Sequence, residues 1–157
     1  MKRYLFDCGF RDTTASLGVF ALRVMIGLMM LVGHGIPKIQ GFSQMKDHFP
    51  VPNFFALSWM SPQVALVGCI IGEVVAASMI VLGIMTRPAA FLLGFTMVVA
   101  AFDVMGQAPW FVSPPKVFMA KELALLYLIP TIAIIFSGAG AYSLDAALYR
   151  DPKRRRW

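Results

Sequence analysis

Six polar residues sit within or at the edges of long apolar runs: Arg23, His34, Lys38, Glu73, Asp103 and Glu122. A charge at the centre of a membrane helix costs about 3 kcal/mol on insertion scales, so such residues are functional by default. Together they hold the parts of acid–base chemistry. Carboxylates and an imidazole can exchange protons, while a guanidinium and an ammonium can hold a carbonyl or an anion. At 1.5 Å per residue, Arg23 lies about 12 Å and Glu73 about 18 Å from the same membrane face. That offset predicts an Arg23–Glu73 ion pair near mid-membrane, which could be a staple between two helices, a ligand site, or both.

His34 follows Arg23 by eleven residues, within about 20° of the same helical face. Arg23, Gly27, Met30 and His34 therefore form one line, on which Gly27 leaves space. Asp103 and Glu122, flanked by Lys38, Gln107 and Lys121, are expected to join His34 in one outer layer of a helix bundle. The result is a polar funnel leading down to Arg23 and Glu73. The bland alternatives are a histidine that caps its own helix end and ordinary interfacial solvation of Asp103, Lys121 and Glu122. Gly68 and Gly72, with Ala76, form a small-residue stripe suited to close helix packing. No metal site is expected. Cys8 and Cys69 stand far apart with no CxxC, and Met29-Met30 with His34 lack the spacing of a copper site. His34 is the only histidine at membrane level, which disfavours haem.

The elements that must position these residues are membrane spans. The 157 residues are 59% hydrophobic and 14% charged, and the mean hydropathy is +0.72. A soluble domain carries about 25% charged residues, so soluble-enzyme, disordered and collagen-like classes are excluded. Apolar runs place spans at about 15–33, 64–85, 88–105 and 118–137, each near the 20 residues a bilayer requires. The expected fold is all-α: a polytopic membrane protein built as a four-transmembrane-helix bundle over residues 15–145. A cytoplasmic segment, 1–14, precedes it and a basic cytoplasmic tail, 146–157, follows. Pro130 is expected to kink the fourth span. The connection from His34 to Pro62, rich in Phe, Pro, Met and Trp, is expected to fold back on the membrane surface through Phe49, Phe54, Phe55, Leu57, Trp59 and Met60.

The net charge of +6 does not point to nucleic acid, because the basic residues flank the spans. Lys2, Arg3, Arg11, Arg87, Arg150, Lys153, Arg154, Arg155 and Arg156 would share one side; Lys38, Lys46, Lys116 and Lys121 would share the other. Nine against four places both termini in the cytoplasm, in the plasma (inner) membrane of a prokaryote. No cleavage site follows the first apolar run, so it reads as a retained span.

Four sequence pieces in order carry a family resemblance: Ala21-Leu22-Arg23 with Gly33-His34-Gly35-Ile36-Pro37-Lys38; Gly72-Glu73 with Gly83-Ile84-Met85-Thr86-Arg87-Pro88; Lys121-Glu122-Leu123; and Ser137-Gly138 through Ser143-Leu144-Asp145. Across about residues 17–148 this pattern resembles the DoxX family of small integral membrane proteins. Ala139 departs from it, standing where a proline is common. The resemblance implies four membrane helices, kinship with the DoxD-type subunit of thiosulfate:quinone oxidoreductase, and Arg23, His34, Lys38, Glu73 and Glu122 as characteristic polar positions.

Two functions of different class follow. The first is an accessory or substrate-binding component of a membrane oxidoreductase system, taking a quinone or a small sulfur compound among its helices. No flavin motif or paired cysteines supply a redox centre, so electrons would come from a membrane or peripheral oxidoreductase partner or pass between two bound substrates. The second is a non-catalytic assembly factor, partner chaperone or small-solute carrier. The lipid bilayer is a partner in either case, and a homo-oligomer is compatible with both.

Overall fold

The computed structural model describes residues 12–54, 57–112 and 120–148. Cys8, the terminal basic clusters, Phe55 and Lys116 lie outside the described residues. The chain is all-α. Helix α1 runs from Thr13 to Gln40, α2 covers Phe42–Met45, α3 Pro62–Leu82, α4 Thr86–Val104, α5 Glu122–Ser137 and α6 Leu144–Leu148.

Three of these, α1, α3 and α4, are long and apolar enough to cross a membrane, at 28, 21 and 19 residues. Helix α5 is apolar but shorter, 16 residues, or about 24 Å against a hydrocarbon core of about 30 Å. The protein is therefore a polytopic membrane protein. Helix α1 continues two turns beyond the expected end at residue 33, so His34 and Lys38 project from helix rather than from a connection.

Each helix end has a local cause. Asp12 caps α1 by accepting from the Thr14 N–H at 3.1 Å. Ser61 precedes Pro62 at the start of α3, an N-cap followed by a proline whose missing N–H costs nothing there. Gly83 ends α3 at φ +72°, and the Ile84 N–H reaches back to the Met79 carbonyl at 3.0 Å. Helix α4 then begins after Met85, itself left-handed at φ +45°, with no cap from its own neighbourhood. The cap comes from Asp145 on α6, whose carboxylate accepts from the Met85 N–H at 2.8 Å and from the Thr86 N–H and hydroxyl at 2.9 Å. The Asp145 N–H in turn donates to the Gly83 carbonyl at 2.8 Å. Two pieces of the resemblance, Gly83–Pro88 and Ser143–Asp145, are thus one structural unit.

The long helices pack in a ring, α1 on α3, α3 on α4, α4 on α5 and α5 back on α1. Small residues line the contacts: Ala76, Ala77, Ala89, Ala90, Ala101 and Ala124 are buried with Ile80, Leu93 and Ile134. In a bilayer, where lipid tails are as apolar as leucine, close backbone approach of this kind drives association. Large apolar side chains such as Met25, Phe91, Ile129 and Phe136 point outward.

Three helices contain a single π-helical turn: Leu31–Gly35 in α1, Ile71–Val75 in α3 and Ala100–Val104 in α4. Each carries one of the sequence-predicted residues, His34, Glu73 or Asp103. A π turn adds one residue to the ladder and re-aims the side chains beyond it, and such turns recur at functional sites.

Candidate ligand-binding site

Helices α1 and α3 are antiparallel, and their register follows from the glycines between them. A side chain on Gly27 would strike Val81 and come within 3.0 Å of the Ala77 carbonyl, and one on Gly35 would meet Val74 at 2.7 Å and the Glu73 carbonyl at 3.6 Å. Gly35 is therefore level with Glu73, and Arg23 lies twelve residues below it, about 18 Å by the helical rise. Helical side chains lean toward the N-terminus of their own helix. Lys38 on α1 leans down, Glu73 on α3 leans up, and their ammonium and carboxylate form an ion pair.

The expected Arg23–Glu73 pair is not formed. Arg23 leans away from Glu73 toward the start of α1, where its guanidinium lies against Gly83 and donates to the Tyr142 carbonyl at 2.7 Å. It is fully buried there and ties the closing segment to the α3–α4 turn. The expectation of space at Gly27 is likewise corrected: Gly27 is a close-packing position on α3. Gly72 is another, since a side chain there would strike Thr96 of α4. Gly68 differs from both, with nothing within 4 Å of a side chain built on it.

Above this level the bundle encloses a cavity of about 500 Å³. Met30, His34 and Lys38 of α1, Gly68, Cys69 and Glu73 of α3, Thr96 and Ala100 of α4, and Ala124 and Tyr127 of α5 contribute to its wall. Phe49, Pro50, Pro52, Leu57 and Met60 cover it from the connection between α2 and α3. Among the connection's described residues these five therefore face the bundle, while Phe54 and Trp59 remain exposed.

The polar groups gather in one patch of this wall. Besides the Lys38 pair, Glu73 accepts from the Cys69 thiol at 3.3 Å through its other oxygen. The His34 and Tyr127 rings meet edge to face, with centroids 5.4 Å apart. Glu73 is 5% exposed, and a carboxylate so placed needs both partners to offset its desolvation. The sequence alone weighs Cys69 only against Cys8, as a redox or metal pair, and gives no sign of Tyr127. Cys69 is one helical turn before Glu73 on the same face, a spacing that could have revealed it.

Asp103 and Glu122 do not join this wall. Asp103 accepts from the Phe54 N–H at 3.0 Å and Glu122 from the Val112 N–H at 2.8 Å, so each anchors a connecting segment. The Lys121 ammonium lies 4.8 Å from the centre of the Trp110 ring. The predicted funnel thus divides into a site (His34, Lys38, Glu73), two loop anchors (Asp103, Glu122) and a distant structural arginine.

A family model described as DoxX matches residues 18–106. The chain belongs to the DoxX family. A protein of Haemophilus influenzae described as uncharacterized is similar to it, 31% identical over 131 residues that cover 82% of this chain and 89% of the relative. No solved structure matches. The family match contains α3 and α4 entire and α1 from Gly18 onward, and with them Lys38, Glu73 and Cys69. This DoxX family member therefore holds its ion pair inside the matched region, while Tyr127 lies beyond it.

Proposed function

We propose that this DoxX family protein binds a quinone in the cavity above Gly72, as a substrate-binding component of a membrane oxidoreductase system. The observation that carries this reading is a mostly apolar cavity of about 500 Å³ whose charged groups, Lys38 and Glu73, are paired on its wall. That size lies within the roughly 300–1,000 Å³ typical of small-molecule sites. Apolar walls suit a ring, while Lys38 can donate to a carbonyl oxygen, and His34, Tyr127 or Glu73 can pass a proton to it. When bound, a quinone supplies the two-electron chemistry, with electrons from a membrane or peripheral partner. A small sulfur compound is the second ligand class, supported by the Cys69 thiol on the same wall. In the membrane arrangement proposed here, α5 is the fourth span and both termini are cytoplasmic in the inner membrane, following the basic-residue bias. A cysteine introduced at position 46 that labels only from the cytoplasmic side overturns that topology.

The test of function is mass spectrometry of small molecules retained after gentle extraction, combined with thermal unfolding in added quinones. Retained quinone and a raised melting temperature support the reading. A protein that retains none, is indifferent to every quinone, and co-purifies with a stoichiometric partner is the non-catalytic assembly factor instead.

A further inference from the structure

The cavity reaches the gap between α3 and α4. Helices α3 and α4 meet where Gly72 backs onto Thr96, and below that level Ala76–Leu82 packs along Thr86–Val99. Above it, Pro62–Ile70 makes no comparable contact with α4. The two helices part there. Gly68 and Ile71 on one edge of this cleft, and Phe95 and Val99 on the other, line the cavity; Gly68, Ile71 and Phe95 are also exposed at the outer surface of the bundle, and Val99 partly so. Ile71 is 45% and Phe95 42% exposed. Every one of these four is apolar, and the surface they reach is the one that faces lipid.

A water-soluble ligand would gain nothing from such an opening, because lipid lies outside it. A ligand with a long apolar tail would: its head can occupy the cavity while a tail too long for about 500 Å³ continues into the bilayer. We infer that the cleft between α3 and α4 is a lateral portal. It fits a prenylated quinone whose ring lies toward Lys38 and Glu73 and whose tail leaves over Gly68 between Ile71 and Phe95. This rests on the quinone reading above and adds the ligand's class and path. Gly68 is the threshold: the absence of a side chain there keeps the cleft open, and the empty space around it means that helix packing does not require glycine.

Gly68→Phe tests the portal, because a ring at this position projects into the cleft without striking a neighbour at its Cβ. Binding of two quinones is measured on the purified full chain by quenching of intrinsic fluorescence: one with a long prenyl tail and one with the same ring and no tail. The expected result is that G68F weakens the long-tailed quinone at least tenfold more than it weakens the tail-less one. Retained binding of the tail-less quinone also reports that the variant is folded. Val67→Phe, on the neighbouring exposed position, should change neither. Equal weakening of both quinones by G68F, or of neither, overturns the portal while leaving the quinone site standing. If the wild-type protein binds neither quinone, or retains only phospholipid, the quinone reading and the portal fall together.

Discussion

Lys38 reaches down from α1 and Glu73 reaches up from α3, and their charges meet on the wall of a cavity that is otherwise apolar. Glu73 is the deeper partner, with 7% of its side chain exposed against 18% for Lys38. Lys38→Met should therefore be the damaging single change, because it strands the buried carboxylate. Breaking a buried pair costs about 3–5 kcal/mol, and the part-exposed lysine end places this one at about 3. Adding Glu73→Leu to Lys38→Met should recover most of that stability in thermal unfolding while quinone binding stays lost. Recovery of binding in the double variant assigns the pair to helix packing alone.

Asp145 holds three hydrogens of Met85 and Thr86 from 59 and 60 residues further along the chain. Because Met85 is left-handed and supplies no cap, nothing local replaces it. Asp145→Ala should cost about 2 kcal/mol, the upper range for a lost cap and consistent with hydrogen bonds to a charged group. Asp145→Asn keeps one acceptor oxygen and should fall between. Neither touches the cavity, so ligand affinity of the folded protein should be unchanged; a tenfold loss of affinity would place the closing segment in the site.

Much of this architecture is legible in the sequence, and the failures share a cause. Apolar runs locate α1, α3 and α4, and the proline and glycine punctuation locates their turns. What a linear depth estimate omits is helix register, and then side-chain direction. Counting residues from a shared membrane face puts Arg23 and Glu73 about 6 Å apart in depth, yet α1 begins below the end of α3, so Arg23 lies near Gly83 and about 18 Å from Glu73, and the opposed lean of the two side chains widens the gap. The same rule, applied to Lys38, would have selected the partner that Glu73 has. The π turns are a second omission, since one added residue leaves no compositional mark but shifts everything beyond it. Layer position alone groups Asp103 and Glu122 with the site; their partners are backbone N–H groups of connections, which no helical periodicity encodes.

Gly27 separates packing from binding. Its ideal Cβ would strike the Val81 side chain and press the Ala77 carbonyl at 3.0 Å, so Gly27→Leu must spread α1 from α3. Overpacking of this kind costs about 1–3 kcal/mol, and the backbone contact places it at the upper end. Thermal unfolding in detergent should show that loss, with normal quinone affinity in the folded fraction. A stable variant that has lost its ligand would return Gly27 to the cavity.

Cys69 provides a direct reading of whether the cavity is filled. Its thiol donates to Glu73 at 3.3 Å on the cavity wall, and with Cys8→Ser it is the sole thiol, since the chain has two cysteines. Lipid surrounds the opening, so a small membrane-permeant organomercurial, which replaces the thiol proton without needing a preformed thiolate, should label Cys69 while a charged, impermeant one should not. Saturating quinone should slow that labelling at least tenfold by covering the sulfur. Lys38→Met, which removes the donor for a ring carbonyl, should abolish the protection without abolishing labelling. That pairing matters because slow labelling alone has two causes, an occupied cavity or a closed one. Protection that survives Lys38→Met means that the ligand sits away from the ion pair; labelling indifferent to quinone in the wild-type protein means that it binds outside the cavity.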